Sequence, residues 1–221
     1  MVAHVIKIIR SILLSGLSPS LFCLLLLLIC PLISHAVIID KIAAIVNEDV
    51  ITQSELDAME KLDLNISGLP KQDSILQERI HHHLALEQLK IQPPVLLSEE
   101  EVESALSSIE IRHGGEENLM VFLNSIGMNR DDLIQEVRSQ LSIRKFIRDR
   151  FRPFVNITIE DAEDYYEKVY KPAGEMLAKD VPPFAEVFGE IQNLLVESKV
   201  QDHIVEWLED LRKKARINIK D

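Results

Sequence analysis

Three consecutive histidines, His81, His82 and His83, are the residues of this sequence whose type and spacing most suggest chemistry. Neutral imidazole is a common metal ligand. On a helix, though, successive side chains point about 100° apart, so three in a row cannot converge on one ion. His83 and Glu87 share a face at i, i+4, but two ligands make a weak site, and His113 joins them only if the fold brings its loop near. The expectation is a polar face beside a core, with no metal, and with a titration near neutrality as the property histidine adds. Carboxylates cluster in "SEEEVE" (98–103) and "EDAEDYYE" (160–167). Paired acids can do acid–base work, but these stand in first helical turns, where they cap and offset the helix dipole. The sequence has no calcium loop D-x-D-x-D-G, no nucleophile elbow G-x-S-x-G and neither glycine-rich phosphate signature, G-x-x-x-x-G-K or G-x-G-x-x-G. No catalytic, cofactor-binding or metal residues are assigned.

Composition narrows the classes further. Residues 1–36 read as a secretory signal: Lys7 and Arg10 ahead of "LFCLLLLLICPLI", then "SHA" at the cleavage positions. An uncleaved anchor is the rival, since Ser11 to Ser34 is long enough to span a bilayer. Both cysteines, Cys23 and Cys30, lie in that leader, so residues 37–221 carry no thiol chemistry and tolerate an oxidising compartment. Removing the two leader cations takes the formal charge from −12 to −14. Strong negative charge argues against nucleic acid, whose phosphates need Lys and Arg clusters.

The elements that position these residues are mostly helical. Val37–Ile51 is β-branched and nearly free of polar residues after Lys41, apart from the turn "NED" (47–49), which suggests a buried hairpin. Thr52-x-x-Glu55 reads as a capping box opening a helix from Gln53 to about Leu64. Further helices are expected over Asp73–Lys90, from a second box at Ser98-x-x-Glu101 to Arg112, over Glu116–Ser125, from near Asn129 to about Phe154, and after a Thr158 cap. "KPAGEMLAKDVPP" (171–183) reads as a loop, followed by one long amphipathic helix from Phe184 to about Lys214. "ARINIK" (215–220) alternates as a strand does. Because a lone hairpin is marginal in water, this strand is expected to pair with the Val37–Val46 strand. The fold class is mainly α, with a small antiparallel sheet built from the N-terminal hairpin and the C-terminal strand.

"IIDKIAAIVNEDVITQSELD" resembles the opening of the SurA family of periplasmic chaperones, and the resemblance continues through "LNSIGMNRDDLIQEVRSQLSIRKFIRDRF" and "VNITIEDAEDYYEK". The closing segment from Phe184 looks like that family's C-terminal helix and strand. The resemblance implies a division into a leader (1–36), an N-terminal chaperone domain (37–171), a loop (172–183) where the family carries parvulin-type prolyl isomerase domains, and a C-terminal helix and strand (184–221) completing the same domain. A parvulin module of domain size does not fit in that loop, so isomerase activity is not carried over. The implied function is ATP-independent holding of unfolded outer-membrane or secreted polypeptides in the periplasm, by a monomer without a membrane span. Two rivals are an adaptor that binds one folded partner and a degenerate isomerase. In "NLMVFLNSIGM" (118–128) the apolar residues Leu119, Met120, Val121, Phe122, Leu123, Ile126 and Met128 exceed one buried face. Leu119, Met120, Phe122, Leu123, Ile126 and Met128 are the candidate client-binding residues, Met being suited to adaptable surfaces. Packing in a helical core is the competing reading.

Overall fold

The computed structural model describes residues 40–177 and 180–220, so the leader expected at 1–36 lies outside the described residues. β1 (Ile42–Val46) and β2 (Asp49–Thr52) form an antiparallel hairpin around a two-residue turn. The turn has no glycine; Asn47 supplies the left-handed backbone instead, at φ +54, a conformation Asn tolerates better than most residues. β3 (Ile217–Ile219) pairs antiparallel with β1, giving the order β2-β1-β3. The expected third strand is therefore present, and β1 is the central strand. One face of the sheet sets Ala44, Val46 and Ile51 against Leu56, Ile80 and Leu84.

Helices make up the rest, and the mainly α expectation holds. α1 (Gln53–Leu62) follows β2 directly; α2 (Ile75–Lys90), α3 (Glu99–Arg112), α4 (Glu116–Ser125) and α5 (Arg130–Phe151) succeed it. Caps explain the starts. Ser98 and Glu101 form the expected box on α3, and Asn129 with Asp132 forms another on α5. The box expected on α1 is only half made. Thr52 accepts from the Glu55 amide, but the Glu55 carboxylate is drawn away to Arg79 on α2, a stronger charge-assisted partner than a backbone N–H. The ends of α3 and α4 turn at Gly114, Gly115 and Gly127, each at positive φ.

α5 ends in a 3-10 turn (Arg152–Phe154), after which Thr158 and Asp161 box the start of α6 (Ile159–Tyr165). The loop expected from Lys171 begins later than the sequence suggests. A π-turn at Tyr166–Tyr170 leads without a break into α7 (Lys171–Met176). The reason is Pro172, whose ring would clash with the carbonyl four residues back in a regular helix. Widening that turn, with Lys171 N–H bonded to Tyr166 O, lets the helix continue. Gly174 then leaves room for the returning chain, since a Cβ there would stand 2.6 Å from Val181. α8 (Phe184–Lys214) is one uninterrupted helix of 31 residues. Its first half packs Val187 and Ile191 on Ala162 and Tyr166 of the α6 segment. Its second half packs Val200, Ile204 and Leu208 on Ala85 of α2 and Ile143, Phe146 and Ile147 of α5. No helix among the described residues is long and apolar enough to cross a membrane.

Candidate functional site

The three histidines disperse. His82 is buried, with Nε2 3.2 Å from the Ser139 hydroxyl. His83 lies between Asp49 (Nδ1, 3.5 Å) and Glu55 (Nε2, 3.4 Å). His81 faces the α8 side, where Arg212 is close enough to depress its protonation after burial has done so first. His113 is elsewhere, packed on Phe122 with ring centroids 4.5 Å apart and the planes tilted by 33°. Among the described residues no three His, Cys, Asp or Glu side chains converge on a point.

The histidines border a buried ionic cluster. Arg79 sends Nε and Nη2 to one oxygen of Glu55 (2.9 and 2.7 Å) and Nη1 to Glu136 (3.0 Å). Gln140 donates to the same Glu136 oxygen (2.7 Å) and accepts from the Ile66 amide (2.8 Å). One guanidinium thus joins α1, α2 and α5, and Gln140 adds the loop between α1 and α2. Burial alone would raise the Glu55 carboxyl; the His83 hydrogen bond and the Arg79 charge outweigh it and hold it at about 2. Glu136 is lowered in the same way, burial opposing and Arg79 prevailing. His82 is pushed down to about 4, by burial first and by Arg79 second. A cleft of about 270 Å³ opens over this cluster, lined among others by Met59, Leu64, Leu69, Arg79 and Gln140. With two carboxylates compensated by one cation, the cluster ties three helices together.

Sequence reasoning missed Arg79, Glu136 and Gln140. A signal for the last two was present. Leu133, Glu136, Val137, Gln140 and Leu141 recur at the spacing of one buried face, so two polar residues occupy core positions of α5.

The candidate client-binding residues divide by position on α4 and the turn after it. Leu119 and Leu123 are fully buried, packed with Val102, Ile109, Leu133 and Val137. Met120, Phe122, Ile126 and Met128 are partly buried around the rim of the same cluster, while Val121 is 67% exposed. The structure brings all six together at one corner of the helical body, four of them partly open to solvent.

A second polar tie closes the sheet. The Asn47 amide N–H donates to Arg216 O (2.8 Å), and its side-chain oxygen accepts from Arg216 N–H (2.8 Å). The Asn47 side-chain nitrogen donates to Glu87 on α2. A single turn residue therefore fixes the hairpin, the start of β3 and α2 together.

No family model matches the chain. Curated proteins do match. The chain is 32% identical over 116 residues to "Chaperone SurA" from Xanthomonas euvesicatoria pv. vesicatoria (strain 85-10), covering 48% of this chain and 25% of that one. Proteins of the same name from Xanthomonas campestris pv. campestris (strain 8004) and Xanthomonas oryzae pv. oryzae (strain MAFF 311018) match at the same identity and coverage. The chain spans about a quarter of the length of these relatives, and over about half of its own length it is similar to proteins named Chaperone SurA.

Proposed function

We propose that this chain is an ATP-independent holding chaperone for unfolded outer-membrane or secreted polypeptides, carried into the periplasm by residues 1–36 and working there as a monomer. The observation that carries the reading is the similarity to proteins named Chaperone SurA. Two features of the molecule support it. The surface is strongly acidic in net charge, which favours solubility. Large apolar side chains nonetheless stand in solvent, among them Leu96, Ile111, Phe154 and Met176, each at least 79% exposed. Met120, Phe122, Ile126 and Met128 would offer clients an adaptable rim, whereas Leu119 and Leu123 become reachable only if α4 loosens. No prolyl isomerase activity is assigned.

The test is aggregation of a urea-unfolded outer-membrane barrel protein diluted into buffer, followed by light scattering. Suppression at near-stoichiometric ratios without ATP is expected. Scattering unchanged over a wide range of ratios refutes the holding role.

A further inference from the structure

β3 is an edge strand. Its bonds to β1 fix which of its backbone groups are free. Lys220 N–H donates to Ala43 O, and Asn47 N–H donates to Arg216 O, both at 2.8 Å. With Asn218 opposite Ile45, these place Arg216, Asn218 and Lys220 with their polar groups toward β1. The N–H and C=O of Ile217 and Ile219 therefore point away from the sheet, and among the described residues they form no hydrogen bond. The Ile217 and Ile219 side chains lie on the face that carries Val46 and Ala44, and Ile219 is 46% exposed. An apolar ledge thus reaches the open side of β3.

The segment that carries this edge is opposite in charge to the chain as a whole. Between Arg212 and Asp221 there are five cations and one carboxylate, that of Asp221, in a chain of net charge −12. Arg212 bonds Gln77 and Lys213 pairs with Asp210. Lys214, Arg216 and Lys220 are exposed and make no ion pair among the described residues.

We propose that β3 is a docking edge for an extended polypeptide segment that adds a fourth strand, with apolar residues at alternate positions and acidic residues at its flanks. Backbone bonds to Ile217 and Ile219 supply the pairing, the apolar ledge receives alternate side chains, and Lys214, Arg216 and Lys220 select acidic flanks. This rests on the holding role proposed above and gives that role one class of client segment. Two free residues limit the edge to a short, weak grip. A short edge with flanking lysines is also how proteins keep strands from pairing, so the test must separate the two uses.

The probe is acetyl-Asp-Glu-Val-Thr-Val-Thr-Val-Glu-Asp-amide, added to the isotope-labelled full chain. Slowed hydrogen exchange at the Ile217 and Ile219 amides, with salt-sensitive affinity, is expected; a Lys-flanked version of the peptide should bind about tenfold more weakly. Ile219→Pro removes an outward N–H and leaves the bonds to β1 intact, so it should weaken binding about fivefold. Triple reversal at Lys214, Arg216 and Lys220 to Glu should exchange the preference between the two peptides. Unchanged exchange at both amides in the unaltered protein overturns the proposal, whatever the variants do. So does a reversal variant that self-associates without binding either peptide, which is the purely protective use, or an edge already occupied by a second copy in sedimentation. Aggregation suppression by the unaltered protein while peptide protection is absent sinks the edge and leaves the holding role standing. Loss of suppression by the unaltered protein, with peptide protection intact, sinks the holding role and leaves the edge as a binding site.

Discussion

Replacing Arg79 by Met tests the ionic cluster most directly. The side chain of Arg79 is 12% exposed, that of Glu136 10% and that of Glu55 24%. The substitution keeps the bulk and removes the charge, so Glu136 stays buried without a cation, while Glu55 retains His83. Breaking a buried pair by deleting one partner costs about 3–5 kcal/mol; the lower end, about 3 kcal/mol, suits a cluster with one half-open carboxylate. With a urea slope of about 2 kcal/mol/M, the midpoint should fall by about 1.5 M at pH 7. Trp207, the only tryptophan, packs against Phe146 and Phe151 and reports the transition by fluorescence. The gap should also depend on pH. Glu55 and Glu136 have folded carboxyls below their ordinary 4.5, so their stabilising contribution is present above pH 4.5 and is lost as pH falls through their folded values, about 2 for Glu55. In the variant the lowering charge is gone, Glu136 is driven up by burial, and acid relieves it. Wild type and variant should therefore converge from pH 7 to pH 4, and Arg79→Met with Glu136→Gln should regain about half of the loss at pH 7. A midpoint lowered by less than about 0.5 M, or a gap that does not narrow in acid, would refute the reasoning.

His82 gives an independent acid effect: with a folded value of about 4 against an ordinary 6.5, it binds its proton more readily when unfolded. Stability should then fall by about 3 kcal/mol from pH 6.5 to pH 4, and His82→Leu should flatten that part of the profile in urea titrations. Asn47→Gly keeps the left-handed turn and the backbone bond to Arg216 O but loses the side-chain ties to Arg216 N–H and Glu87, whereas Asn47→Ala also strains the backbone. Thermal unfolding should place Ala about 1 kcal/mol below Gly, with exchange at the Lys220 amide fastest in Ala. On α4, Leu123→Ala should cost about 3 kcal/mol as a cavity in the core, while Val121→Ala should stay within about 0.5 kcal/mol.

Much of the architecture was legible because local chemistry and tertiary structure agree. Ser98, Thr158 and the glycines at 114 and 115 mark helix ends by their own hydrogen bonds and backbone freedom, and the alternation at Ile217 and Ile219 marks β3. Where a distant partner decides, sequence reasoning failed. Glu55 stands at a box position, yet Arg79, 24 residues away, claims it. Pro172 and Gly174 look like a break, but a π-turn absorbs the first and Val181 fills the space left by the second. On the apolar segment after Gly115, composition could not separate Leu119 and Leu123, which face the core, from Met120 and Phe122 at the rim, because every residue there satisfies a hydrophobic pattern.

The closure of the sheet by the last strand also sets the order of folding. Asn47 and Arg216 are 169 residues apart, so the central strand keeps one flank unpaired until β3 has been made and α8 has docked. Ordering ends so far apart is slow relative to the local helices, although loop entropy grows only about 0.6 kcal/mol for each doubling of length. A chain released early would keep its helical body and lack the strand that pairs with β1. Such a product would expose the bare edge of β1 to solvent and to proteases, so pairing with β3 is what shields the central strand.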